Sequence, residues 1–177
     1  MPEETLATVE EWLGADEEHA EHRLDDTFGR FESAQPALAA RIGAALGRAN
    51  DEVAVALGYF LSLLVWLAFD RAFGARVAEV SELAVRGVEE SLALDEELRR
   101  GDPAEAVDSD EVVAMEQPHV LELVHQHLDA ALDAHAERAD VDAVHRVYRL
   151  ILVEILALSY ATAPPAGPVE PSAEGDA

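Results

Sequence analysis

VAVALGYFLSLLVWLAF, residues 53–69, is a run of seventeen residues without a formal charge in a chain whose net charge is -25. It is apolar on every side, so a helix made from it needs neighbours all round rather than along one stripe. The run is too long for a strand and shows no alternation of polar and apolar residues. Asn50 reads as the N-cap, Asp51 and Glu52 fall in the first turn, and Gly74 follows the end as a C-terminal stop, which predicts a helix over 51–73. Ala54, Gly58 and Ser62 recur every four residues and form a ridge of small side chains along which a second helix can approach closely. Leu57, Phe60, Leu61, Leu64 and Ala68 fall opposite that ridge and fill a core.

Seventeen residues reach the lower end of what crosses a bilayer, about 17 to 25. The flanks Asp51, Glu52 and Asp70, with only Arg48 and Arg71 as basic neighbours, carry no positive-inside signature. The other apolar segment, 150–163, is interrupted by Glu154. A soluble core helix is therefore the expectation, and a membrane-associated helical subunit is the third reading.

Outward from this run, the rest of the chain reads as its cover. Leu6, Val9, Leu13, Ala20, Leu24, Phe28 and Phe31 follow helical spacing over 3–31, with Gly14 as a dividing point. Pro36 starts a helix that runs to Leu46 and buries Leu38, Ile42, Ala45 and Leu46. A stripe of Val77, Val80, Ala84, Val88, Leu92 and Leu98 predicts a helix over 76–100, with Arg99 and Arg100 at its C-terminal dipole and Gly101 as its stop. The turn formers and acids of 101–110 read as a linker. The next helix, capped by Asp108, Ser109 or Asp110, extends to 138 and must kink or break near Glu116 because of Pro118. Asp140 or Asp142 caps a last helix to 161, packed against the central one, and 162–177 read as a disordered tail rich in Pro, Gly, Glu and Ala. There is no internal repeat. The expected fold is all-α, one helical bundle over 1–161 of about five or six helices.

Composition narrows the function classes. Half of the residues are hydrophobic, which excludes disorder for most of the chain. There are no cysteines, so disulfides and cysteine-based metal or redox centres are excluded. The first residues lack a signal peptide's basic and apolar regions, and a cytoplasmic address is expected. Asp and Glu total 37 against 12 basic residues, all of them Arg. So negative a surface disfavours nucleic acid and anionic membranes. It also fits a salt-rich host whose electrolyte screens the repulsion.

Candidate site residues are few. Glu122 and His125 have the Glu-x-x-His spacing that ferritin-like di-metal bundles use, where each of two helices supplies such a pair and each of the other two a further Glu. Leu121, Val124, Leu128, Leu132 and His135 face the core of that helix, His125 lies at its edge, and Glu122 points further out. A second match, Glu116 to His119, spans Pro118 and is not a helical repeat. His19 and His22, three apart, lie on a polar face among acids. Glu154 projects within the apolar arc of Val144, Val147, Tyr148, Ile151, Ile155 and Leu158. A buried carboxylate needs a partner or a proton, and an Arg, a Tyr or a histidine such as His135 is the expected partner. Asp70 would join Glu154 and His125 if all three met at one end of the bundle. Glu17, Glu18 and Glu21 match half of the EExxE…ExxD pattern of all-α pyrophosphohydrolases, but the other half is missing at its distance. No glycine-rich phosphate loop, nucleophile elbow or HExxH is present.

The leading expectation is a small cytoplasmic protein without catalytic activity or cofactor, which binds another protein or itself, a homodimer included. The alternative is a ferritin-like metal bundle holding Fe, Mn or Zn through Glu122, His125, Glu154 and Asp70.

Overall fold

A computed structural model of the chain describes residues 1–14, 20–101 and 108–162. Among these the fold is all-α and has eight α helices. They are α1 (Glu3–Gly14), α2 (Ala20–Ala34), α3 (Pro36–Leu46), α4 (Glu52–Phe73), α5 (Glu82–Gly101), α6 (Ser109–Glu116), α7 (Pro118–Ala134) and α8 (Val141–Tyr160). The count exceeds the expected five or six because both expected dividing points become ends. The chain leaves α1 at Gly14, and at Pro118 it breaks outright. Gln117, kept out of the helical region by the following proline, closes α6 and opens α7.

α4 is the hub. Asp51, not Asn50, is its N-cap: the Asp51 backbone is extended and its Oδ1 accepts from the Ala54 amide at 2.6 Å. Gly74, at φ 52°, ends it in a conformation that side chains disfavour. α8 lies along it, α1, α2, α3 and α7 pack on its remaining sides, α5 crosses α8 and α3, and α6 rests on α7 and α8. The segment Glu52–Arg76 is the one stretch of the described residues long and apolar enough to cross a membrane, and 67% of its most apolar window is buried within the fold.

α4 and α8 run parallel. At their N-terminal ends Asp51 Oδ2 accepts from the Asp140 amide at 3.2 Å, while Asp140 caps α8 through the amides of Asp142 and Ala143. Beyond their C-terminal ends Val77 and Thr162 form an antiparallel bridge, and the Ala78 amide donates to Ala161 O at 2.9 Å. A parallel pair needs a long crossover, and α5, α6 and α7 supply it. The expected ridge is the seam: Ala54, Gly58 and Ser62 are all buried.

The bridge explains one boundary that differs from expectation. α5 begins at Glu82 rather than near 76, because Gly74–Arg76 form a short 3-10 turn and Val77 and Ala78 pair with Thr162 and Ala161. Gln35, buried in the turn between α2 and α3, clamps this segment: its Oε1 accepts from the Val80 amide at 2.8 Å and its Nε2 donates to Ala78 O at 3.0 Å. Thr162, expected in the tail, is thus part of the fold, and the remaining tail lies outside the described residues, as do 102–107 of the expected linker.

Candidate functional site

Glu154 sits in the middle of α8 and is 0% exposed, with apolar neighbours on its own helix. From α4 it meets Ser62, 2% exposed. Burial pushes the Glu154 carboxyl well above the ordinary carboxylate range, and Ser62 offsets part of this. The two groups face each other without a hydrogen bond of standard geometry, since neither Glu154 oxygen nor Ser62 Oγ has a partner within such limits. The group is therefore suited to holding a proton in an apolar slot, not a charge. The expected partner His135 is exposed: α7 ends at Ala134, and His135 as its C-cap leaves the core face.

The structure does not bring the four metal candidates together. Asp70, near the end of α4, pairs with Arg30 of α2 at 2.5 Å. Glu122 is exposed on the outer face of α7. His125 turns to Tyr148, and Glu154 is sealed against Ser62. Among the described residues no group of three or more His, Asp or Glu is arranged to hold a metal ion. Of the His19 and His22 pair, His22 is exposed and His19 lies outside the described residues.

One polar cluster went unread in the sequence because it draws on three helices. His125 Nε2 of α7 lies 2.6 Å from the Tyr148 hydroxyl of α8, and Asp110 of α6 stands 3.5 Å from the same nitrogen. Burial pushes the Tyr148 hydroxyl up, helped by a hydrogen bond and charge from Asp110 and by the charge of Asp108. Tyr148 thus remains a hydroxyl that ties α6 and α7 to the core.

The largest departure from the expected burial is on α5. Its inner face buries Val85, Val88 and Leu92, and Arg41–Glu89 and Arg149–Glu96 ion pairs at 2.6 and 2.5 Å hold it to α3 and α8. Leu98, expected on the buried stripe, is instead 57% exposed, alongside Leu83 at 74% and Leu94 at 56%. At 100° per residue these three share a face with Ala84, Gly87 and Ser91. Ala84, Gly87 and Ser91 also line an open groove of about 420 Å³, whose far wall includes Ala157 and Tyr160, the latter 62% exposed. Glu90 and Glu97 are exposed beside the leucines. On the groove side, burial and the charges of Glu116 and Asp95 raise the Tyr160 hydroxyl. The result is an apolar strip rimmed by carboxylates.

Comparison of the chain with protein-family models, with curated proteins and with solved structures finds no match in any of the three.

Proposed function

We propose that this protein is a cytoplasmic interaction module without catalytic activity, and that its α5 face receives a basic amphipathic helix of a partner protein. The observation that supports the reading is the pairing of exposed Leu83, Leu94 and Leu98 with the carboxylates of Glu90, Glu97, Asp95 and Glu116. An amphipathic helix lays its apolar side into such a groove, and Lys or Arg at its edges meets the acidic rim. A second copy of this chain fits less well, because it would bring another charge of -25 against the first.

The test is fluorescence anisotropy with two labelled peptides that share one leucine face, one edged with Lys and the other with Glu. The Lys peptide is expected to bind with a Kd on the order of micromolar, and the Glu peptide not to bind. The double substitution Leu94→Glu and Leu98→Glu weakens the Lys peptide by about tenfold or more. Equal binding to that variant would reduce the interaction to unspecific charge attraction. A dimer in light scattering that the double substitution dissolves would hand the face to a second copy instead.

A further inference from the structure

α3 and the first half of α8 leave an open groove of about 320 Å³ between them, at the lower end of small-molecule sites at roughly 300 to 1,000 Å³. Its floor is apolar, with Ala45 on one side and Val147 and Leu150 on the other. Its charged groups are three guanidiniums, those of Arg41 on α3, Arg48 in the turn just after it and Arg146 on α8, and neither Asp nor Glu lines it. A quarter of the 12 arginines thus meets at one groove of a chain with 37 acids.

That surplus of acid has not quenched them. Arg41 gives its Nε to Glu89 of α5 at 2.6 Å, and this pair is already compensated. Arg48 gives its Nε to Ala44 O at 2.8 Å, which holds the guanidinium by one edge and leaves its terminal nitrogens to the groove. Elsewhere arginines are used up: Arg30 and Arg149 pair with acids, and Arg23, Arg71 and Arg76 lie over aromatic rings. Among the described residues Arg48 and Arg146 do neither, and Asp142, one turn before Arg146 on α8, forms no ion pair with it. The groove therefore holds two uncompensated positive charges above an apolar floor.

These charges specify the ligand. A guanidinium presents paired N–H donors that fit the oxygens of a carboxylate or a phosphate, and two of them are matched by two negative charges. The net charge of -25 does not exclude such a guest. At physiological salt the screening length is about 8 Å, so a small molecule inside the groove feels the arginines that line it, whereas a nucleic acid or a membrane extends over the acidic surface around it.

We propose that this groove binds a small organic dianion, its oxyanion charge on Arg48 and Arg146 and its hydrocarbon on Ala45, Val147 and Leu150. The site shares no lining residue with the α5 face, so either assignment stands without the other.

Titration of the full chain with phenyl phosphate, glutarate, inorganic phosphate and benzoate, followed by amide chemical shifts, tests it. Phenyl phosphate carries both charges on one group and glutarate one at each end, so the tighter of the two tells whether the guanidiniums hold one group or two. At least one of them is expected to saturate with a Kd on the order of 0.1 mM and to move residues of α3 and α8, while benzoate, with one charge, and inorganic phosphate, with no hydrocarbon, bind at least about tenfold more weakly. Arg48→Gln and Arg146→Gln each weaken the dianion about tenfold, and both keep the parent's melting temperature because these exposed side chains have no acid partner to lose. Arg76→Gln, beyond the far end of α4, removes the same charge and leaves binding unchanged. Failure of both dianions to bind, benzoate or inorganic phosphate binding as well as the better dianion, full affinity in Arg48→Gln or Arg146→Gln, or an equal loss in Arg76→Gln would overturn the assignment.

Discussion

Gly58 of α4 and Val147 of α8 meet face to face in the parallel pair: a Cβ on Gly58 would stand 2.7 Å from Val147 Cγ1, and 2.6 Å from Leu46 Cδ2 on α3. No real side chain tolerates both distances, so three helices depend on a missing methyl group. Alanine in a helix interior ordinarily gains about 1 kcal/mol over glycine, whereas overpacking a core costs about 1–3 kcal/mol. Gly58→Ala is therefore expected to destabilise the fold by about 1 kcal/mol in urea denaturation. Adding Val147→Ala should cost less than the two single effects summed, because each substitution relieves the other. Gly58→Ala more stable than the parent would show that α8 is free to move away from α4.

Glu154 makes stability depend on pH in a direction opposite to that of a salt-bridged acid. Its folded-state pKa is raised, so the folded chain binds this proton more tightly than the unfolded one. The contribution is fully present below the unfolded value of about 4.5 and is lost as pH rises from there toward the folded value, by about 1.4 kcal/mol per pH unit. Glu154→Gln removes the titration. Relative to the parent, its melting temperature should therefore rise between about pH 4 and pH 8. A difference between the two proteins that stays constant across that range would rule out an ionisation cost at this position.

Gln35 is predicted to matter far more than its place in a turn suggests. Gln35→Ala removes both partners of the extended segment, from the Val80 amide and from Ala78 O. Leaving the buried Val80 amide unpaired costs about 1–3 kcal/mol, and the loss should appear locally as well as globally. Hydrogen exchange at Val80 is expected to accelerate more than exchange in the middle of α4. Unchanged protection at Val80 would mean that the Val77–Thr162 bridge suffices without the clamp.

Features set by the chain's own periodicity were legible from the sequence, and features set by contact between distant segments were not. The run 53–69 is apolar all round, and that alone placed α4 at the centre. The ridge of Ala54, Gly58 and Ser62, the break at Pro118 and the position of Glu154 within the apolar arc of α8 follow from helical spacing in the same way. Ser62 was read for its small size, and only the parallel setting of α4 and α8 makes it the neighbour of Glu154. Gln35 carries no signal as a clamp until the non-helical segment of Ala78 and Val80 is laid beside it. The α5 stripe was misassigned at Ala84 and Leu98, both exposed; the six-residue step from Leu92 turns Leu98 about 120° away from the buried face of Val85, Val88 and Leu92.

Salt should stabilise this protein over an unusually wide range. Arg30, Arg41 and Arg149 pair with Asp70, Glu89 and Glu96, but 12 arginines cannot neutralise 37 acids. The surplus repels itself more strongly in the compact fold than in the unfolded chain. Raising KCl from 0.01 M to 1 M shortens the screening length from about 30 Å to about 3 Å, which removes repulsion between carboxylates spread over the surface while weakening the exposed ion pairs only modestly. The urea midpoint is expected to climb steeply at first and then flatten as the screening length falls below the spacing of the charges. Sucrose at equal osmolarity, which leaves the charges unscreened, should not reproduce the initial climb. A midpoint indifferent to KCl would mean that the acidic surface carries no net repulsion in the folded state.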